Sequence, residues 1–116
     1  VQRVSTLLLK AVNAHNQTVG GIAAYIFYGS LIIDILWVNP NYRYQGIGSA
    51  LLKEVEDMAR KAYLKFITVS TMEWWDSLDF YYKHGFTIEF IREGFQNNQR
   101  QFHLIKKLIH EENSMD

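Results

Sequence analysis

Val38-Asn39-Pro40-Asn41-Tyr42-Arg43-Tyr44-Gln45-Gly46-Ile47-Gly48-Ser49-Ala50-Leu51-Leu52 joins the end of a very apolar run to the start of an amphipathic helix. Its bend carries an Arg and two glycines one residue apart. From Ile35 to Lys53 the chain has no Asp or Glu. A helix start attracts acids, because its first N–H groups lack partners and its dipole favours negative charge. This one leaves the place empty, so a bound anion, a phosphate above all, is expected to fill it.

Upstream of the bend, LIIDILWV (31–38) is almost wholly apolar, which predicts a strand buried on both faces and stopped by Pro40. Residues 18–27, entered through Gly20-Gly21, read as the second strand of a hairpin. Its first strand is 7–12, and Asn13-Ala14-His15-Asn16-Gln17 supplies the turn. Tyr28-Gly29-Ser30 is another turn. Downstream, Ile47, Leu51, Val55, Met58, Ala59 and Ala62 recur at helical spacing. The opposite side holds charged residues, with Glu56–Arg60 and Asp57–Lys61 as favourable i,i+4 pairs. Residues 66–69 predict a strand. Asp76 or Ser77 caps a second helix over 78–84, ended by Gly85. Residues 86–95 and 101–108 read as two more strands, and the tail after Ile109 is expected to fray. The order ββ-β-α-β-α-β-β predicts an α+β fold, with one mixed-sheet domain over 1–116.

The 116 residues suffice for one domain with a core. A composition 48% hydrophobic and 15% aromatic excludes a disordered chain. The formal net charge of +0 offers neither a broad nucleic-acid surface nor a polybasic membrane anchor. No run approaches the ~20 apolar residues of a membrane span, and the N-terminus lacks a signal-peptide pattern. Without Cys there is no disulfide, thiolate metal site or Cys nucleophile. A cytoplasmic protein without nucleic-acid or membrane partners is expected. His15, His84 and His103 have no second ligand at metal spacing, so no metal site is expected.

Three anion loops compete for the bend. A Walker loop needs Lys-Ser/Thr directly after its second Gly, where this chain has Ser49-Ala50. A dinucleotide fingerprint needs a third Gly where Leu51 stands. The remaining pattern, R-x-x-G-x-G, is met by Arg43-Tyr44-Gln45-Gly46-Ile47-Gly48. Here the chain resembles the GNAT superfamily of N-acetyltransferases, which bind acetyl-coenzyme A (acetyl-CoA) through this motif. LIIDILWV, ending in Val-Asn-Pro, is similar to the family's fourth strand. Phe80-Tyr81-Tyr82-Lys83-His84-Gly85-Phe86 resembles its FYxKxGF segment, and the closing FHLIKKL is similar to that of small bacterial members. The resemblance covers roughly 18–108.

The resemblance implies an α+β fold whose mixed, mostly antiparallel sheet is flanked by helices. It implies transfer of an acetyl group from acetyl-CoA to a primary amine, on a small molecule or a peptide, by direct attack through a tetrahedral intermediate. The N–H groups of Gln45, Gly46, Ile47, Gly48, Ser49 and Ala50 would form the diphosphate cradle, with Arg43 nearby. The thioester would lie beside the splayed strand end Leu36-Trp37-Val38, where the Val38 N–H polarises its carbonyl. Tyr81 is the candidate general acid for the leaving thiolate. A phenol of ordinary pKa, about 10, holds its proton at neutral pH. A core aromatic is the other reading of Tyr81.

The general base is open. Asp34 is the one ionisable residue in the apolar run, so it must be paired, hydrogen-bonded or protonated. A raised pKa would suit a base, and a structural acceptor is the alternative. Glu73 is a second base candidate, against the reading of a solvated loop acid. Trp74 and Trp75 stand where many relatives carry an Asn that contacts the pantetheine arm, and either wall an acceptor pocket or pack in the core. Relatives also begin with a strand and one or two helices, whereas here the hairpin starts almost at once. A catalytically degenerate acyl-CoA-binding or partner-docking module is therefore the alternative function. An apolar face left uncovered would be closed by a second chain, as a homodimer. An RNA-binding domain would use the strand aromatics but lacks a basic stripe.

Overall fold

The structure, a computed structural model, describes residues 5–73 and 76–108. Its elements are β1 (Ser5–Val12), β2 (Thr18–Phe27), β3 (Ser30–Val38), α1 (Ile47–Lys61), β4 (Phe66–Met72), α2 (Ser77–Lys83), β5 (Thr87–Arg92) and β6 (Gln101–Lys107). The strands form one sheet in the order β1-β2-β3-β4-β6-β5. All neighbours are antiparallel except β3 and β4. A parallel pair needs a crossover, and α1 supplies it.

Side-chain alternation decides which face α1 covers. A Cβ on Gly20 would lie 3.2 Å from Ile47 Cγ2 and 3.6 Å from Leu51 Cδ1, so Gly20, Ile22 and Ala24 face the helix. Their partners Ala11, Leu9 and Leu7 in β1, and Val38, Leu36 and Ile33 in β3, share that face. The helix buries Leu51, Leu52, Val55 and Ala59 against it. Tyr81 of α2 and the following Phe86 join the same core, with Ile67 and Leu104. Full burial of side chains such as Leu52 and Val55 is worth ~1.5–3 kcal/mol each. Glu56 leaves the polar side of α1 to reach Lys106 of β6, at 2.8 Å, which ties helix to sheet.

With both helices on one side, the other face of the sheet is open among the described residues. Leu8, Ile35, Trp37, Phe27 and Phe90 are all exposed there. This corrects the expectation that LIIDILWV is buried on both faces: among the described residues only one has a cover. Asp34 is corrected with it. Ala23 pairs with Ile35 and Ala24 with Ile33, which leaves Asp34 unpaired in a bulge. It is exposed, so its carboxylate meets water rather than the core.

Other boundaries shift for local reasons. β4 runs on to Met72, three residues past the expected end, because β6 pairs it along its whole length. β5 is shorter at both ends. Gly85 turns the chain at φ +89° so that Phe86 points into the core, and Gly94 turns it again at φ +95°. Asp76 occupies the N-cap position of α2, and its side chain makes no capping bond. Met58 is 42% exposed rather than on the buried stripe. The expectations for Trp74, Trp75 and the tail after Ile109 lie outside the described residues. No helix among the described residues is long and apolar enough to cross a membrane.

Candidate active site

The parallel pair β3–β4 is joined only at Leu31–Ile67 and Ile32–Thr68. Beyond Ile33 the strands part, and α1 and α2 begin at the mouth of the gap. A cleft of about 670 Å³ opens there. From β3 it is lined by Leu36, Trp37 and Val38, and from the bend by Arg43, Tyr44 and Gly46. Ile47, Gly48 and Ser49 line it from α1, and Ser77, Phe80 and Tyr81 from α2.

The main chain of β3 is aimed into this gap. Asn39 N donates to Val19 O at 2.7 Å, which makes that pair a hydrogen-bonded one in the antiparallel ladder. Such pairs alternate, so the neighbouring Val38 N–H and C=O point away from β2, toward the gap. Arg43 Nε takes up the Val38 carbonyl at 3.2 Å. The Val38 amide is left facing the cleft. Trp37 also lines the cleft, but in the same alternation its own N–H and C=O turn back toward β2. Its indole lies across Gly21 on the open face of the sheet, where a Cβ on Gly21 would come within 2.9 Å of Nε1.

The helix start is shaped for an anion. Gly46 is the N-cap of α1, at φ +83° and ψ 6°, a left-handed conformation that disfavours a Cβ. No side chain caps the helix, and no acid stands in its first turn. Oriented N–H groups, the dipole and Arg43 together suit a diphosphate. A Cβ on Gly48 would touch Phe80 at 3.4 Å, so the second Gly allows close approach of α2.

One expected member of the cradle is engaged within the helix. Ala50 is exposed, and its N–H donates to Gly46 O at 3.0 Å as the first helical hydrogen bond, so it has none to offer a ligand. Gln45 stands in the bend just before Gly46, with its side chain exposed. The base candidates are displaced. Asp34 is on its bulge. Glu73 is not a solvated loop acid, because its carboxylate is held by Arg100 from the backbone N (3.0 Å), from Nε and from Nη2 (both 3.1 Å). Glu73 N returns a bond to Arg100 O at 3.0 Å. This clamp joins the end of β4 to the start of β6 and stands outside the cleft lining.

Tyr81 is buried, and burial pushes its phenol up to about 12. A neutral phenol is thereby kept on a residue that lines the cleft. Its neighbour Tyr82 points outward, 43% exposed. Sequence reasoning gave Ser77 only a capping role. Its hydroxyl shares a 2.6 Å hydrogen bond with that of buried Thr71, and Ser77 and Asp76 both line the cleft. The only signal was the placement of the α2 start beside the gap. His84 is occupied structurally: Nδ1 donates to Phe80 O at 2.8 Å and the ring packs on Phe80. Among the described residues no three His, Asp or Glu side chains gather to hold a metal.

Known proteins share this fold. An acetyltransferase from Bacillus cereus ATCC 14579 superposes with a TM-score of 0.83 at 28% identity, covering 92% of this chain and 76% of its own. The PaiA N-acetyltransferase of Thermoplasma acidophilum, in complex with coenzyme A, gives 0.75 at 25% identity over 90% of this chain and 62% of its own. The ribosomal-protein-S18-alanine N-acetyltransferase of Escherichia coli shares the fold, with a TM-score of 0.80 at 16% identity over 91% and 72%. A search of curated proteins finds no match for the sequence. The family model described as an acetyltransferase (GNAT) domain matches residues 5–88, through both helices and the glycine turn, and the chain belongs to the GNAT family of acetyltransferases.

Proposed function

We propose that this protein is an N-acetyltransferase that moves an acetyl group from acetyl-CoA to a primary amine by direct attack. The observation that carries the reading is the convergence, in one cleft, of an uncapped glycine-turned helix start, an inward-facing Val38 amide and the buried phenol of Tyr81. Acetyl-CoA supplies the activated thioester. Arg43 and the first-turn amides of α1 hold its diphosphate. The Val38 N–H donates to the carbonyl oxygen as negative charge develops there, in the manner of an oxyanion hole. Tyr81 Oη gives its proton to the sulfur as the C–S bond breaks and is reprotonated, through water, by the proton that the nitrogen loses as the C–N bond forms, so the products are the amide and the free thiol. Asp34 and Glu73 stand outside this machinery, one in water and the other clamped by Arg100. The acceptor is an amine on a small molecule or a peptide, and the uncovered sheet face supports pairing with a second copy.

Thiol release from acetyl-CoA, measured with a panel of small amines and peptides, tests the proposal. Amine-dependent release above background hydrolysis is expected. Coenzyme A binding without release for any amine would leave an acyl-CoA-binding module in its place, and absence of binding would defeat both.

A further inference from the structure

Tyr44 is the residue of the cleft that its own fold uses least. Its side chain is 101% exposed, and its backbone is held at φ +63°, a region that residues with a Cβ disfavour. A large aromatic ring is thus presented to water on a strained loop, with no packing in return. The acyl end of the cleft is at Val38 and Tyr81, and its anion seat is at the start of α1. Tyr44 lines the same cleft two residues before the Gly46 N-cap, so a group joined to the far side of a diphosphate in that seat has this exposed ring available to pack on. In coenzyme A that group is an adenosine, whose purine has a flat π-face.

We infer that Tyr44 is a stacking platform for the purine base of the acyl carrier, so that the cleft selects nucleotide-bearing thioesters over shorter pantetheine ones. The inference rests on the acetyltransferase reading. Stacking of a base on an aromatic side chain changes affinity by about tenfold or more. It needs only a ring, so the phenol hydroxyl is dispensable.

Calorimetric titration of the full chain with acetyl-CoA and with S-acetyl-4′-phosphopantetheine separates the contributions. The second ligand keeps the arm, the thioester and one phosphate but has no adenosine. Tyr44→Gly should weaken acetyl-CoA binding about tenfold, whereas Tyr44→Phe should leave it unchanged. Both variants should bind the phosphopantetheine thioester as the parent does. Glycine accepts the left-handed backbone, so a thermal melt no lower than the parent's will exclude misfolding as the cause. Equal acetyl-CoA affinity in parent and Tyr44→Gly would overturn the platform, as would an equal loss for both ligands. Failure of the parent to bind either ligand would instead overturn the anion seat, and the platform with it.

Discussion

Tyr81 shows how one position can be core and chemistry together. Its ring packs edge-on against Phe80 and Phe86, with centroids 5.2 and 5.3 Å away, and the residue also lines the cleft. Tyr81→Phe keeps the packing and removes the donor. Turnover should fall about a hundredfold, in the range for loss of general acid–base help, with coenzyme A affinity unchanged. Equal turnover would remove Tyr81 from the mechanism. The same residue makes a pH prediction. Its phenol is raised to about 12 in the folded state, above its ordinary value near 10. Below pH 10 both states hold the proton and the contribution to stability is complete. Above it the unfolded chain ionises first, so stability declines up to about pH 12, by ~2–3 kcal/mol. Denaturant midpoints from pH 9 to 12 should drop less steeply in Tyr81→Phe, and parallel curves would show that the phenol is not so shifted.

At the scale of the element, the start of α1 carries the most weight. Gly46 has open space where a Cβ would go, so only its left-handed φ resists substitution. Gly46→Ala should cost about 1 kcal/mol of stability, yet weaken coenzyme A binding at least tenfold, because the amides that face the diphosphate shift with the backbone. Unchanged affinity in a calorimetric titration would dismiss the seat. This element was also the most legible. An acid-free start, two glycines and a helical period predicted α1 and its glycine-turned start, and Gly20-Gly21 with the turn at Tyr28 placed β2 to the residue. The surroundings of β3 and the end of β4 were less so. An apolar run reports an appetite for burial but not which neighbour satisfies it, hence the open face of Ile35 and Trp37. Nothing near Asp34 marks a bulge, since that is a property of its register with Ala23 and Ala24. The partner of Glu73 is Arg100, 27 residues on, and no local pattern announces a clamp across that distance. The use of Ala50's N–H followed from where the helix begins, which sequence alone places only to within a residue or two.

For the molecule as a whole, the unequal faces of the sheet set the remaining expectation. One face is packed by two helices. The other presents Leu8, 61% exposed, with Ile35, 52% exposed, and Trp37 beside them. Six strands about 4.8 Å apart and some seven residues long offer roughly 600 Å², approaching the ~800 Å² per partner of a stable interface. A second copy presents the same face, and two such sheets stack about 10 Å apart with their strands inclined by about 30°. The isologous contact is closed, so it yields a dimer and not a fibre. Sedimentation equilibrium at micromolar concentration should therefore report twice the 13.6 kDa chain mass. Leu8→Lys with Ile35→Lys should return the single-chain mass with little loss of fold stability, because both side chains are more than half exposed in the single chain. The two positions are also outside the cleft lining, so coenzyme A affinity should survive in the double variant. A parent protein that sediments as a monomer at every concentration would refute pairing through this face, while leaving the chemistry of the cleft untouched.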